Sequence, residues 1–353
     1  MRCSWFQACE FRNLKPQRLE WALGLNLLRG ENGAGKTNLL EVLRLLSGWG
    51  PFRGRTASEA PRWGGTAGRA ALKGGFSGEE DLEIAALVGR RVDLRREGKQ
   101  VGASTVRSRV PTLSFTPEDL SLVEGAPAMR RRFLDGICAL LLPLYAFRLL
   151  EYRKALRQRA AALRQKRGMG ATARVLAPLA SWIWASRAAA VDLVRVGLSE
   201  VRELLPEPVE ITFSRGGSLG LEDGLEDYWA SLSRTADVEE RFGLPVVGPH
   251  RDDLVIESEG RAASRFFSRG HRRRVAVALM MAAGWTVERK LRRTPILLLD
   301  EVAAELDDAG RSVLVETLDA RGWQVFAATA ESSFDGWPGA VWRVSAGSVQ
   351  RIS

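Results

Sequence analysis

The chain is poor in the residues that would place it outside a cell or around a metal. It has 3 cysteines, 2 histidines and 3 tyrosines in 353 residues. Cys3, Cys9 and Cys138 are scattered and odd in number, which argues against a disulfide framework and for a reducing compartment. With only His250 and His271 as histidines, a zinc site lacks ligands. The longest apolar run, Ile137 to Phe147, contains Pro143 and reaches about half of the ~20 residues that cross a bilayer. Charge at Glu10, Arg12 and Lys15 comes too early for a secretory signal, so a cytoplasmic location is expected. The 11 tryptophans are dispersed and not paired with basic residues at regular spacing, so they read as core or interface fillers rather than base-stacking platforms.

What the chain does have is a split phosphate site. Gly30-Glu31-Asn32-Gly33-Ala34-Gly35-Lys36-Thr37, continuing into Asn38, fits the phosphate-loop pattern. Its glycines let successive N–H groups turn toward phosphates, Lys36 brings a positive charge and Thr37 a hydroxyl for Mg2+. The flanks suit it: Leu25-Asn26-Leu27-Leu28 reads as a buried strand and Asn38 to Leu46 as a helix, so the loop opens a helix N-terminus. Far downstream, Ile296-Leu297-Leu298-Leu299 ends in Asp300-Glu301, the way a central parallel strand delivers carboxylates to the edge of a sheet. Asp300 is expected to hold Mg2+ and Glu301 to polarise the water that attacks ATP. Both chain ends therefore build one head.

Shortly before that strand, Ser268 and Gly270 stand where a helix begins, a second anion-binding device or a plain helix cap. The net charge of +10, from 52 Lys plus Arg against 42 Asp plus Glu, favours phosphate backbones over acidic proteins. Basic residues cluster at Arg130-Arg131-Arg132, from Arg153 to Arg167 (Arg157 among them), at Arg272-Arg273-Arg274 and from Arg289 to Arg293. A solvated helix face explains any one cluster as well as DNA does. Contacts of this kind would bind DNA without reading its sequence, and with a strong dependence on salt.

The fold class expected is α/β, with an ATP-binding head formed by residues 1–127 and 206–353 and an inserted, mainly helical lobe at 128–205. Leu82 to Val88 and Arg91 to Arg95 read as hairpin strands of an antiparallel layer beside the core sheet. Gly168-Met169-Gly170 should break the insert into two long helices. The insert has no sustained heptads and is too short for a long coiled coil.

Several runs, in their order, resemble the bacterial RecF family of recombination mediators, within the SMC-like branch of ABC ATPases. Phe11-Arg12-Asn13 and the phosphate loop are shared with the wider branch. More specific are Phe115-Thr116-Pro117-Glu118-Asp119-Leu120, Arg130-Arg131-Arg132-Phe133-Leu134-Asp135, Tyr152 to Arg159, and Val247-Gly248-Pro249-His250-Arg251-Asp252-Asp253-Leu254. The resemblance implies an ABC-type head in which Arg12 and Asn13 join the nucleotide site. It also implies that Ser268 and Gly270 read the γ-phosphate of ATP held by a second subunit, with Asp307 facing that subunit. It further implies an ATP-dependent homodimer on duplex or gapped DNA, weak DNA-stimulated ATPase activity and a nucleoid-associated location. RecR and RecO-type mediators and RecA would be partners, in DNA repair, replication restart and the SOS response. Arg130, Arg131, Arg153, Arg157, Arg272 and Arg273 are the candidate DNA contacts.

The chain departs from the family at its signature. Ser268-Arg269-Gly270-His271-Arg272-Arg273 stands where relatives carry Ser-Gln-Gly-Gln-Gln-Arg, and Thr329 stands where transporter-type ABC proteins place a switch histidine. Two alternatives stay open: a head that binds ATP and barely hydrolyses it, and a regulatory or defence ATPase that does not act in recombination.

Overall fold

The computed structural model of the chain describes residues 1–52, 56–62, 68–302, 305–330 and 337–353. Strands β1 (Arg2–Cys9), β2 (Gln17–Glu20) and β3 (Leu25–Arg29) lead into helix α1 (Lys36–Leu46). An antiparallel run follows, β4 (Ala70–Ser77), β5 (Leu82–Val88), β6 (Val92–Arg96) and β7 (Lys99–Gln100), then α2 (Ala103–Arg109) and β8 (Thr112–Phe115). The helical middle comprises α3 (Pro127–Leu141), α4 (Tyr145–Gln165) and α5 (Met169–Ser199). After it come β9 (Glu210–Ser214), α6 (Gly224–Phe242), β10 (Asp253–Ser258), β11 (Arg261–Ala262), α7 (Ala263–Phe266) and α8 (Arg269–Leu291). Strand β12 (Ile296–Asp300), α9 (Asp308–Arg321), β13 (Gln324–Thr329), β14 (Ala340–Ser345) and β15 (Ser348–Arg351) complete the chain.

The central sheet has the order β15-β14-β3-β13-β12-β8, parallel except at the β15 edge. Its strands are apolar runs because both faces are covered. Leu25, Leu27, Leu297, Leu299, Val325 and Ala327 enter a core shared with the helices of the middle segment. Their neighbours Leu28, Ile296, Leu298, Phe326 and Ala328 face the opposite core, under α1 and the antiparallel sheet β2-β1-β4-β5-β6-β7. The strand period of two thus assigns one sequence to two cores. Trp21 wedges between the sheets, with ring centroids 5.1 Å from Phe6, 5.2 Å from Phe326 and 4.6 Å from Trp342. Trp184 and Trp323 are also fully buried, and each indole N–H donates to a carboxylate, Asp252 at 2.8 Å and Glu288 at 3.0 Å.

The expected break between the long helices is made by two left-handed residues, Lys166 (φ 52°) and Gly168 (φ 67°), which end α4 and start α5. Helix α5 is the hub, packed on α4, α6, α8 and α3, and the small sheet β11-β10-β9 leans on α5 and α3. Helix α8 is buried from Val275 to Ala283, and its N-terminal residues Ser268, Arg269 and Gly270 are exposed. Among the described residues no helix is long and apolar enough to cross a membrane.

Candidate nucleotide-binding site

The phosphate loop leaves β3 and turns into α1 through Gly33 (φ 79°) and Gly35 (φ 116°), conformations that a side chain would strain. Lys36, the first residue of α1, is buried and donates to the carbonyls of Gly30 (2.8 Å) and Glu31 (3.2 Å). Its ammonium also lies 3.3 Å from Glu301 Oε1. Thr37 Oγ1 donates to Asp300, 2.9 Å from Oδ1, across 263 residues of sequence. The two ends of the chain thus meet in one site.

Glu301 sits just past β12 with φ 54°, uncommon for a side-chain-bearing residue, and its other carboxylate oxygen accepts from the Ala330 N–H at 3.0 Å. Strain at such a position is tolerated where the surroundings fix it, and here two hydrogen bonds and an ion pair hold the turn. Asp300 is fully buried at the strand end.

Asn13 braces the loop from below: its amide donates to the Gly33 carbonyl (2.8 Å) and its oxygen accepts from Asn38 (2.8 Å). Arg12 forms a bidentate ion pair with Glu41, and the Phe52 N–H donates to the same carboxylate at 3.0 Å. A cavity of about 280 Å³ is lined by Arg12, Asn32, Gly33, Gly35, Lys36, Thr37, Asn38, Glu41, Phe52 and Glu301. Gly30 and Ala34 belong to the loop behind that wall, and the Ala34 carbonyl accepts from Gly347 at 2.9 Å. Glu41 and Phe52 had not been singled out in the sequence. The available signal was an acid inside the apolar run Leu39-Leu40-Glu41-Val42, since a buried carboxylate needs a cationic partner.

Ser268, Gly270 and Asp307 are absent from this lining. Ser268 Oγ caps α8 by accepting from the His271 N–H at 3.2 Å, and Gly270 beside it is exposed. Asp307 is the N-cap of α9, accepting from the Gly310 N–H at 2.8 Å. Thr329 is buried at the end of β13.

The basic clusters divide sharply. Arg130 grips Asp253 through two nitrogens (2.6 and 3.0 Å) and also donates to the Leu122 and Gly125 carbonyls. Arg131 donates to the Asp252 carbonyl at 2.7 Å. Arg272 pairs with Glu124 at 2.7 Å, and Arg273 pairs with Glu305. These four arginines are committed to the fold, because run composition alone says nothing about which acceptors the fold brings near. Arg153 and Arg157, with Lys154 and Arg164, lie exposed along α4.

Runs that looked diagnostic in the sequence converge on a buried polar knot. Arg187 donates to Asp135 (2.7 Å), Asp252 (2.7 Å) and the Pro249 carbonyl (2.7 Å). Trp184 and the Gly216 N–H complete Asp252, each at 2.8 Å. Burial alone would lower the Arg187 pKa, but Asp135, Tyr145 and Asp252 raise it above the ordinary arginine range, so the guanidinium stays charged. Tyr152 bonds His250 at 2.7 Å, and Arg159 is buried against Glu239. His250 therefore serves the helical layer and does not line the nucleotide cavity.

A glycine loop between a central parallel strand and a helix, with an Asp-Glu pair two strands away and a Ser-capped helix elsewhere on the surface, defines an ABC-type ATPase head of the SMC-like kind. Solved SMC heads have that fold: one bound to the C-terminal winged-helix domain of ScpA superposes with a TM-score of 0.58 at 14% identity. No protein-family model matches the chain. Curated relatives do: the DNA replication and repair protein RecF of Heliobacterium modesticaldum is 32% identical, covering 93% of this chain and 92% of that protein. The RecF of Desulforudis audaxviator is 31% identical over the whole of both chains. A structure of the recombination mediator protein RecF with ATP aligns over 100% of this chain and 98% of that one, with a TM-score of 0.87 and 25% identity. The chain belongs to the RecF family.

Proposed function

We propose that this protein is an ATP-dependent recombination mediator, in which two heads close on DNA when ATP is bound. The observation that carries the reading is the junction of Thr37 with Asp300 and of Lys36 with Glu301, which assembles a phosphate site from both chain ends. Inward-turned loop amides, the Lys36 ammonium and the N-terminus of α1 suit a triphosphate. One carboxylate and one hydroxyl suit Mg2+, which takes its remaining ligands from phosphates and water. Bound there, the ion would neutralise charge on the phosphates.

In this reading Lys36 exchanges its loop carbonyls for phosphate oxygens, and Glu301 orients the attacking water. Arg12, anchored by Glu41, faces the nucleotide, and Asn13 and Asn38 hold the loop in shape. Ser268, Gly270 and Asp307 stand on the surface outside the chain's own nucleotide cavity, which favours their use by a second copy. The exposed Arg153 and Arg157 on α4 become the DNA contacts, and Arg130, Arg131, Arg272 and Arg273 are withdrawn from that role. By family, the loaded clamp would work with RecR and RecO-type mediators to place RecA on gapped DNA.

A second reading, ATP binding with little turnover, is favoured by the signature. Arg272, which stands where relatives carry an amide, is held by Glu124, so it does not take that amide's place. Duplex-binding titrations with and without ATP test the main reading. ATP should tighten binding in the parent and not in Lys36→Ala; equal tightening in both would refute it. A turnover assay with and without DNA decides the second reading.

A further inference from the structure

A second cavity, of about 360 Å³, lies where the head meets the helical layer, and it shares only Phe52 with the lining of the nucleotide cavity. The volume is that of a small-molecule site. Its walls bring together α1 through Arg44, the end of β8 through Phe115, α8 through Met280 and α3 through Phe133, Gly136 and Leu140.

Gly136 is the telling residue. It lies inside α3, where glycine costs roughly 1 kcal/mol relative to alanine. Its φ is not positive, and a Cβ added there would meet nothing within 4 Å. Neither backbone conformation nor packing calls for a glycine, and what its missing side chain leaves is space in the cavity wall.

Arginines and acids share the lining, three of each, and what sets the arginines apart is that one of them has no bonded partner among the described residues. Arg132, one helical turn before Gly136, is exposed, and no described residue hydrogen-bonds or ion-pairs with it. Arg153 reaches only Asp135, at 3.4 Å, and that carboxylate is already bonded by Arg187 and Tyr145. Asp119 is occupied by the Thr116 N–H (2.8 Å) and hydroxyl (3.0 Å). Glu118 also lines the cavity and is exposed, and the acid whose charge Arg132 and Arg44 feel is Asp119. Deeper in, Arg44 bonds Ser114 and the Gly50 carbonyl and stacks on Phe52, 4.9 Å from its centroid. Aromatic walls with guanidinium groups at the entrance select a flat apolar body with a negative group.

We propose that this cavity binds a small planar aromatic anion, a carboxylate, sulfonate or phosphate ester, with Arg132 and Arg153 on the charged group and the ring against Phe133 and Phe115. The occupant would bridge α1, which carries Lys36, and α8, which carries Ser268. The site is therefore placed to modulate the nucleotide response.

Anilinonaphthalene sulfonate, an aromatic sulfonate that fluoresces in apolar surroundings, is the probe. We expect one molecule bound per chain by calorimetry and fluorescence, and affinity lowered by about tenfold or more in Gly136→Leu, whose side chain fills the cavity. Nucleotide binding and thermal midpoint should be retained in that variant, since a helix-interior glycine is being replaced. Should Gly136→Leu fold poorly, Gly136→Met, with a more adaptable side chain, gives the same readout. The double variant Arg132→Ala, Arg153→Ala should weaken the sulfonate by about fivefold and leave the uncharged phenylnaphthylamine unchanged. Equal sulfonate affinity in the parent and the folded Gly136 variant would overturn the site. Equal weakening of both dyes in the arginine variant would overturn its choice of an anion.

Discussion

Acid should destabilise this protein through His250 before its carboxylates are protonated. His250 Nε2 lies 3.0 Å from the Pro245 carbonyl oxygen, which can only accept, so Nε2 carries the proton. Nδ1 then accepts from the Tyr152 hydroxyl at 2.7 Å. A second proton on the ring would force that bond to reverse, with the Tyr152 oxygen accepting, and would charge a buried group near Arg251, Arg131 and Arg187. Burial first, and those arginines after it, lower the imidazole pKa from 6.5 to about 4, against the partial support of the Pro245 carbonyl. The folded state therefore binds fewer protons than the unfolded chain. The penalty is absent above the unfolded value, grows as pH falls toward the folded one and then levels off. Between about pH 7.5 and about pH 4.5 it amounts to roughly 2.5 kcal/mol, at ~1.4 kcal/mol per pKa unit. Urea unfolding of the parent and of His250→Gln at both pH values measures it, because carboxylate contributions common to the two proteins cancel in the difference. The variant should lose roughly 2.5 kcal/mol less than the parent on acidification. Parallel pH profiles would refute the assignment of a buried neutral imidazole.

Arg187→Met should cost about 3–5 kcal/mol in the same unfolding assay, since Asp252 is left buried without its cation and Asp135 keeps only Arg153. Glu301→Gln should slow ATP turnover by about a hundredfold or more while nucleotide binding persists; a parent-like rate would remove Glu301 from the base role. Arg153→Ala with Arg157→Ala should reduce the slope of log affinity against log salt for duplex DNA by about 2, whereas Arg130→Ala should show its effect chiefly as lost stability.

The meeting of the phosphate loop with Asp300-Glu301 was legible because its pattern is local: a glycine loop needs its spacing, and Asp300-Glu301 needs only an apolar strand to carry it. The central sheet was legible for the same reason, as runs such as Ile296 to Leu299 can be buried on both faces. The fate of the arginines was not. Arg130 and Arg153 look alike in sequence, yet the first meets Asp253 across 123 residues and the second faces solvent on α4. Long-range pairing of this kind is set by packing, which periodicity does not encode. The polar knot around Arg187 left traces in the runs that carry Asp135 and Asp252 and in a lone arginine in the small-residue stretch from Ala185 to Ala190, but not in which of these meet. Phe52 left none, because its place at both cavities follows from the chain's path after α1.

The most direct test of ATP-driven closure is molecular mass by light scattering, without nucleotide, with ATP and Mg2+, and with ATP plus gapped DNA. The account predicts a monomer that doubles in mass with ATP, with the doubling lost in Lys36→Ala. A monomer under every condition, in protein that still binds ATP, would contradict the use of Ser268 and Gly270 across subunits.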